Sequence, residues 1–107
     1  MMVISDKIFY PGKVLYNTFN INFDLPFADQ LEELNEDLIQ VEYECNYLLD
    51  IGWFPEGNEN GVVIIQVIHE NQWATPVFRS EAADADSLIS NIKTIVARIN
   101  DGKNDGK

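Results

Sequence analysis

The sequence predicts an α+β domain, an antiparallel β-meander sheet packed in two layers against an N-terminal and a C-terminal helix. Three observations carry that prediction. Apolar residues alternate with polar ones through the middle of the chain, over 39–44, 47–54 and 62–70. The connections between these runs are short, as antiparallel neighbours require. Leu88, Ile92, Ile95 and Ile99 then recur at helical spacing near the C-terminus. A chain of 107 residues, 46 % hydrophobic, suffices for one core. The expected boundaries are 1–102 for the domain and 103–107 for a frayed tail.

In chain order, Ile8-Phe9-Tyr10, a Pro11-Gly12 turn and Val14-Leu15-Tyr16 read as a short hairpin. Phe19, Ile21 and Phe23 alternate with Asn20, Asn22 and Asp24, a half-buried extended pattern. Asp24 before Leu25-Pro26 reads as a helix start, since a short carboxylate accepts free backbone amides and proline suits the first turn. Phe27, Leu31, Leu34 and Leu38 would form that helix's apolar stripe, with Asp29, Glu32, Glu33 and Glu36 on its wet side.

From Leu38 the period becomes two. Ile39, Val41 and Tyr43 alternate with Gln40, Glu42 and Glu44, and after a turn near Cys45-Asn46, Leu49, Ile51 and Trp53 alternate with Asp50 and Gly52. Residues 55–61 form a loop rich in Gly, Asn and Pro. The strand over 62–70 follows, with a further short one over 76–79. The closing helix spans 85–100, with Asp84, Asp86 and Ser87 at its start, Lys93 and Arg98 in its later turns, and Gly102 as its end.

Charge bounds the function. Eighteen carboxylates stand against seven basic residues, a formal charge of −11. Such a surface repels nucleic-acid phosphate and anionic lipid, and speeds encounter with cationic proteins. Direct binding to nucleic acid or membrane is therefore disfavoured. Between Val14 and Phe78 there are twelve carboxylates and no Lys or Arg. A solubility bias accounts for net charge, but it does not require so unmixed a field. The single Cys45 excludes an internal disulfide framework and fits a reducing, cytoplasmic compartment. The first residues lack a secretory pattern, and no run nears the roughly 18 apolar residues of a membrane span.

The central hairpin points to a surface. If Val41 and Tyr43 share the core face with Leu49 and Ile51, the turn has an odd length, such as residues 45–47. Glu44 then faces Leu48 and Glu42 faces Asp50, so Gln40, Glu42, Glu44 and Asp50 share one wet face. Opposed like charges cost roughly 0.2–1 kcal/mol in a sheet, and no lysine is expected on a neighbouring strand. A cationic partner would relieve that repulsion, with Glu56 and Glu59 adding to the field.

The strand over 62–70 is apolar on both sides. The N-terminal segment covers its second face, or Phe54, Ile64 and Ile68 make the centre of an interface with an acidic rim. Trp53 reads as core. Trp73, in a turn-like stretch, caps the sheet edge or anchors a partner. The candidate contacts are thus Glu42, Glu44, Asp50, Phe54, Glu56, Glu59 and Trp73.

Catalytic signatures are missing. His69, the one histidine, falls at a strand end on the core side, and the acidic surroundings of Cys45 disfavour its thiolate. No catalytic residue, cofactor or metal is assigned. The enzymatic alternative is a metal-dependent hydrolase in which Glu42, Glu44 and Asp50 hold a hard divalent ion, but no cation stands nearby to stabilise developing negative charge. A generic acidic adaptor that takes a peptide along a strand edge is the other alternative.

Tyr47 to Gly61, with its Asp50-x-Gly52-Trp53-Phe54-Pro55-Glu56 pattern, leads into Val62 to Ile68, a turn with Trp73 and Pro76, and an acidic-capped helix. This arrangement, over roughly residues 38–100, resembles small immunity proteins of bacterial contact-dependent growth inhibition and polymorphic toxin systems. The resemblance implies a cytoplasmic inhibitor that binds the C-terminal domain of a cognate toxin, commonly a nuclease (RNase or DNase). No catalytic residues transfer from it, and the contact residues rest on charge and register alone.

Overall fold

The computed structural model describes residues 2–22 and 24–105. Its centre is the alternation read from the sequence. β4 (Ile39–Tyr43), β5 (Tyr47–Phe54) and β6 (Val62–His69) are consecutive antiparallel strands. β7 (Phe78–Ala82) joins β6 on one side and β2 (Lys13–Asn17) joins β4 on the other, giving the order β2-β4-β5-β6-β7. β1 (Met2–Val3) and β3 (Asn20–Ile21) form a separate two-stranded ladder. The helix α1 (Ala85–Asp105) closes the chain, so the fold is α+β.

Register assigns each side chain to a face. Val41 stands beside Leu49, Val67 and Phe78 in successive strands, and Ile39 beside Ile51, Ile65 and Ser80. This inner face is buried together with Leu88, Ile92, Ile95 and Ile99 of α1 in one apolar cluster. Burying four such side chains contributes roughly 1.5–3 kcal/mol each. Asp84 caps α1, its Oδ1 accepting from the Ser87 N–H and hydroxyl, each at 2.8 Å. The helix runs through Gly102 to Asp105, beyond its expected end; one glycine costs only about 1 kcal/mol against alanine. Of the expected tail, residues 106–107 lie outside the described residues, as does Phe23 of the alternating N-terminal pattern.

Two expected elements take other forms. In place of the N-terminal α-helix there is a 3-10 stretch, Phe27–Glu33, interrupted at Gln30 (φ −131°, ψ 35°). Pro26, not Asp24, occupies its cap position. The buried Gln30 side chain explains the break: it accepts from the Asn22 N–H at 2.7 Å and donates to the Asn22 carbonyl at 2.8 Å, clamping the preceding loop. Phe27, Leu34 and Leu38 are still buried, so the spacing correctly marked burial while the backbone took a tighter, broken course. The expected hairpin over 8–16 is also absent. Asp6–Phe9 is a 3-10 turn, and β2 pairs with β4 instead. Gly12 lies against the core there, where a Cβ would come within 2.5 Å of Val41 and 2.6 Å of the Tyr43 ring. The last strand starts at Phe78 and ends at Ala82, later than expected.

Candidate functional site

The outer face of the sheet is built from the side chains that alternate away from α1. One row crosses all five strands: Tyr16, Gln40, Asp50, Gln66 and Arg79. Beside it run Lys13, Glu42, Leu48 and Ile68. No α-helix of the described residues lies on this face, yet Ile68 is fully buried and Ile64, Val62 and Phe54 are half-buried.

The register corrects the charge pairing expected for the hairpin. The turn has the odd length anticipated but consists of Glu44–Asn46, so Glu42 faces Leu48 and Asp50 faces Gln40. Slipping by two residues preserves the faces and changes every partner. Glu42 and Asp50 are not opposed. Lys13, on the neighbouring β2, stands opposite Glu42, so this strand pair does carry a lysine. Its presence was hidden in the sequence because residues 8–16 looked like a closed hairpin.

Asp50 is 6 % exposed, a carboxylate inside the row. Gln40 Nε2 donates to its Oδ1 at 3.3 Å. Burial pushes its pKa up, hydrogen bonds from Gln40 and Gln66 pull it partly back, and the charge of Asp37 adds to the rise. Tyr16, next in the row, is raised by burial and by Asp37 and Asp50.

Where the row meets the β4–β5 turn, a groove of about 650 Å³ opens. Pro11, Leu15 and Leu48 supply apolar lining, while Glu42, Glu44 and Lys13 supply charge. Its walls are held by the fold. The Tyr43 hydroxyl donates to the Phe9 carbonyl at 2.7 Å, and burial lifts its pKa well above the ordinary phenol value. Cys45 and Asn46 both have φ of 65°, left-handed backbone that turns the chain sharply. The Glu70 N–H donates to the Asn46 carbonyl at 3.0 Å, and His69 Nε2 lies 3.1 Å from the Cys45 carbonyl oxygen. His69 also stacks on Tyr47, with centroids 4.3 Å apart. The imidazole thus meets the Cys45 backbone, an aromatic ring and, at 3.5 Å, the Glu70 carboxylate.

The seven candidate contacts divide. Glu42 and Glu44 share the groove. Trp73 is 46 % exposed, two residues beyond Asn71, which also lines the groove. Asp50 is buried at mid-face. Phe54, Glu56 and Glu59 belong to the opposite end of β5, roughly 23 Å away at about 3.3 Å per residue. Glu56 has local work: its Oε1 accepts the Glu36 N–H at 3.1 Å. Trp53, expected in the core, is buried, and its Nε1 donates to the Asn58 carbonyl at 3.1 Å. Sequence reasoning missed Pro11, Lys13, Leu15 and Leu48. Leu48 was legible, as the residue alternating with Leu49 in phase with Asp50.

The face offers carboxylates, amides and apolar surface on a five-stranded sheet. Among the described residues no three His, Cys, Asp or Glu side chains are arranged to hold a metal ion. No described helix is long and apolar enough to cross a membrane. Comparison of the chain with protein-family models, curated proteins and solved structures gave no match.

Proposed function

We infer that this chain is an immunity protein that binds and neutralises a cognate toxin domain, a basic nuclease, inside the cytoplasm and without catalysis. In this reading the sheet and α1 form two layers, and the sheet face turned away from α1 meets the toxin. The observation that carries it is this outer face, which has no α-helix over it among the described residues and whose three central strands, β4, β5 and β6, lie within a stretch from Val14 to Phe78 that holds twelve carboxylates and no Lys or Arg. Carboxylates set around a partly apolar sheet suit a surface evolved to hold phosphate. The resemblance over residues 38–100 supplies the class of partner. Glu42, Glu44 and Asp50, the carboxylates of the hydrolase alternative, are not gathered into a group that could hold a metal ion among the described residues.

The test is growth of cells expressing the toxin domain from the adjoining reading frame, with and without this chain, together with co-purification of the pair. Rescue and a stable complex are expected. Continued killing with no complex would overturn the reading.

A further inference from the structure

We propose that the groove at the β4–β5 turn is the docking site for a lysine or arginine side chain carried on an apolar segment of the partner protein. This rests on the preceding reading, that the partner is a basic protein, and adds where and how it is gripped.

The groove has the two-part lining such a segment needs. Leu15, itself 44 % exposed, with Pro11 and Leu48 gives apolar surface for an aliphatic stem, and Glu42 and Glu44 give carboxylates for the cationic head. Gln40 lines the same groove and donates to the buried Asp50, so the recess connects to the carboxylate at the centre of the face. Tyr10, 79 % exposed, adjoins Pro11 at the rim, where an aromatic side chain would add contact area.

Lys13 stands opposite Glu42, yet no ion pair joins them among the described residues. An incoming cation therefore has no internal salt bridge with Glu42 to break. The Tyr43 and Asn46 hydrogen bonds fix the walls before binding, which reduces the ordering that association must overcome. Charge selects the occupant. With a net −11, nucleic acid, an anionic membrane and a second copy of this chain are all repelled, whereas a cationic segment is drawn in.

Two measurements test this. In the first, the isotope-labelled full chain is titrated with the peptide acetyl-Leu-Arg-Leu-Arg-amide, and with the same peptide carrying citrulline for arginine, while backbone resonances are followed. Shifts at Lys13, Leu15, Glu42, Glu44 and Leu48 with the arginine peptide alone are expected. Shifts elsewhere, or equal shifts with citrulline, would overturn the proposal.

In the second, the double variant Glu42→Gln/Glu44→Gln is compared with Glu32→Gln/Glu33→Gln, which removes the same charge from exposed positions on the 3-10 stretch. The groove pair should weaken capture of the toxin domain at least tenfold more than the control pair. Equal weakening would reduce the effect to net charge and overturn the groove while leaving the inhibitor reading intact. Absence of any complex with the unaltered chain would overturn both.

Discussion

Asp50 sits in an environment that its type disfavours, a carboxylate held between two glutamines with 6 % of its surface exposed. Because burial raises its folded pKa above the unfolded 3.8, the folded state binds its proton more tightly. The stability penalty of ionisation is thus absent below the ordinary carboxylate value, grows as pH rises toward the raised one, and persists above it. Asp50→Asn, which keeps the shape and removes the charge, should melt higher than the unaltered chain at about pH 7 and converge with it at about pH 3. Each 1 kcal/mol regained reads as roughly 4–8 °C in a domain of about this size. A lower Tm for the variant at neutral pH would mean that the glutamine hydrogen bonds outweigh desolvation. Two positions along β5, Gly52 allows the Glu36 carbonyl to pass well inside the space of a Cβ, while Glu56 holds the Glu36 N–H from the other side. Gly52→Ala sets side chain against backbone, and overpacking of this kind costs about 1–3 kcal/mol or more. Urea unfolding should show that loss as a lower midpoint.

At the scale of elements, what the sequence disclosed was burial phase, and what it concealed was backbone partnership. β5 was legible to the residue, because Tyr47, Leu49, Ile51 and Trp53 recur at every second position and Pro55 stops the run. Its register against β4 was not, since slips of two residues bury the same side chains, and only the left-handed pair Cys45-Asn46 fixes the turn. Of the candidate site, Glu42 was legible from its phase, whereas Glu44, expected on the strand opposite Leu48, lies in the turn. Lys13 and Leu15 were hidden, because β2 reaches β4 from far along the chain. The stretch at 27–33 shows the same division, with apolar spacing that fits a helix and a backbone redirected by Gln30. Gln30→Ala removes both bonds to Asn22 and leaves half-buried backbone groups unpaired, at a cost of about 1–3 kcal/mol. Hydrogen exchange should quicken over residues 22–33 before it changes in α1; uniform quickening would mean that the clamp supports the whole domain.

For the whole molecule, charge acts on folding and on association with opposite signs. A net −11 makes the compact state repel itself, most strongly across the stretch without Lys or Arg, because only two ion pairs stand among the described residues, and one of them requires a charged His69. Raising salt from about 0.01 M to about 0.15 M shortens the screening length from about 30 Å to about 8 Å. Repulsion between exposed carboxylates on neighbouring elements then falls, and Tm should rise. The same screening removes the long-range attraction that brings a cationic partner to the outer face, so the association rate should fall, while dissociation, governed by the packed groove, changes little. Stopped-flow capture of the toxin domain and thermal melts of the free chain, run in the same buffers, would show both trends. If association slows while Tm also falls, the carboxylates stabilise the free fold locally, and their acidity belongs to the domain itself. If Tm rises and the association rate stays constant, the partner is not recognised through this field, and shape alone must explain the groove.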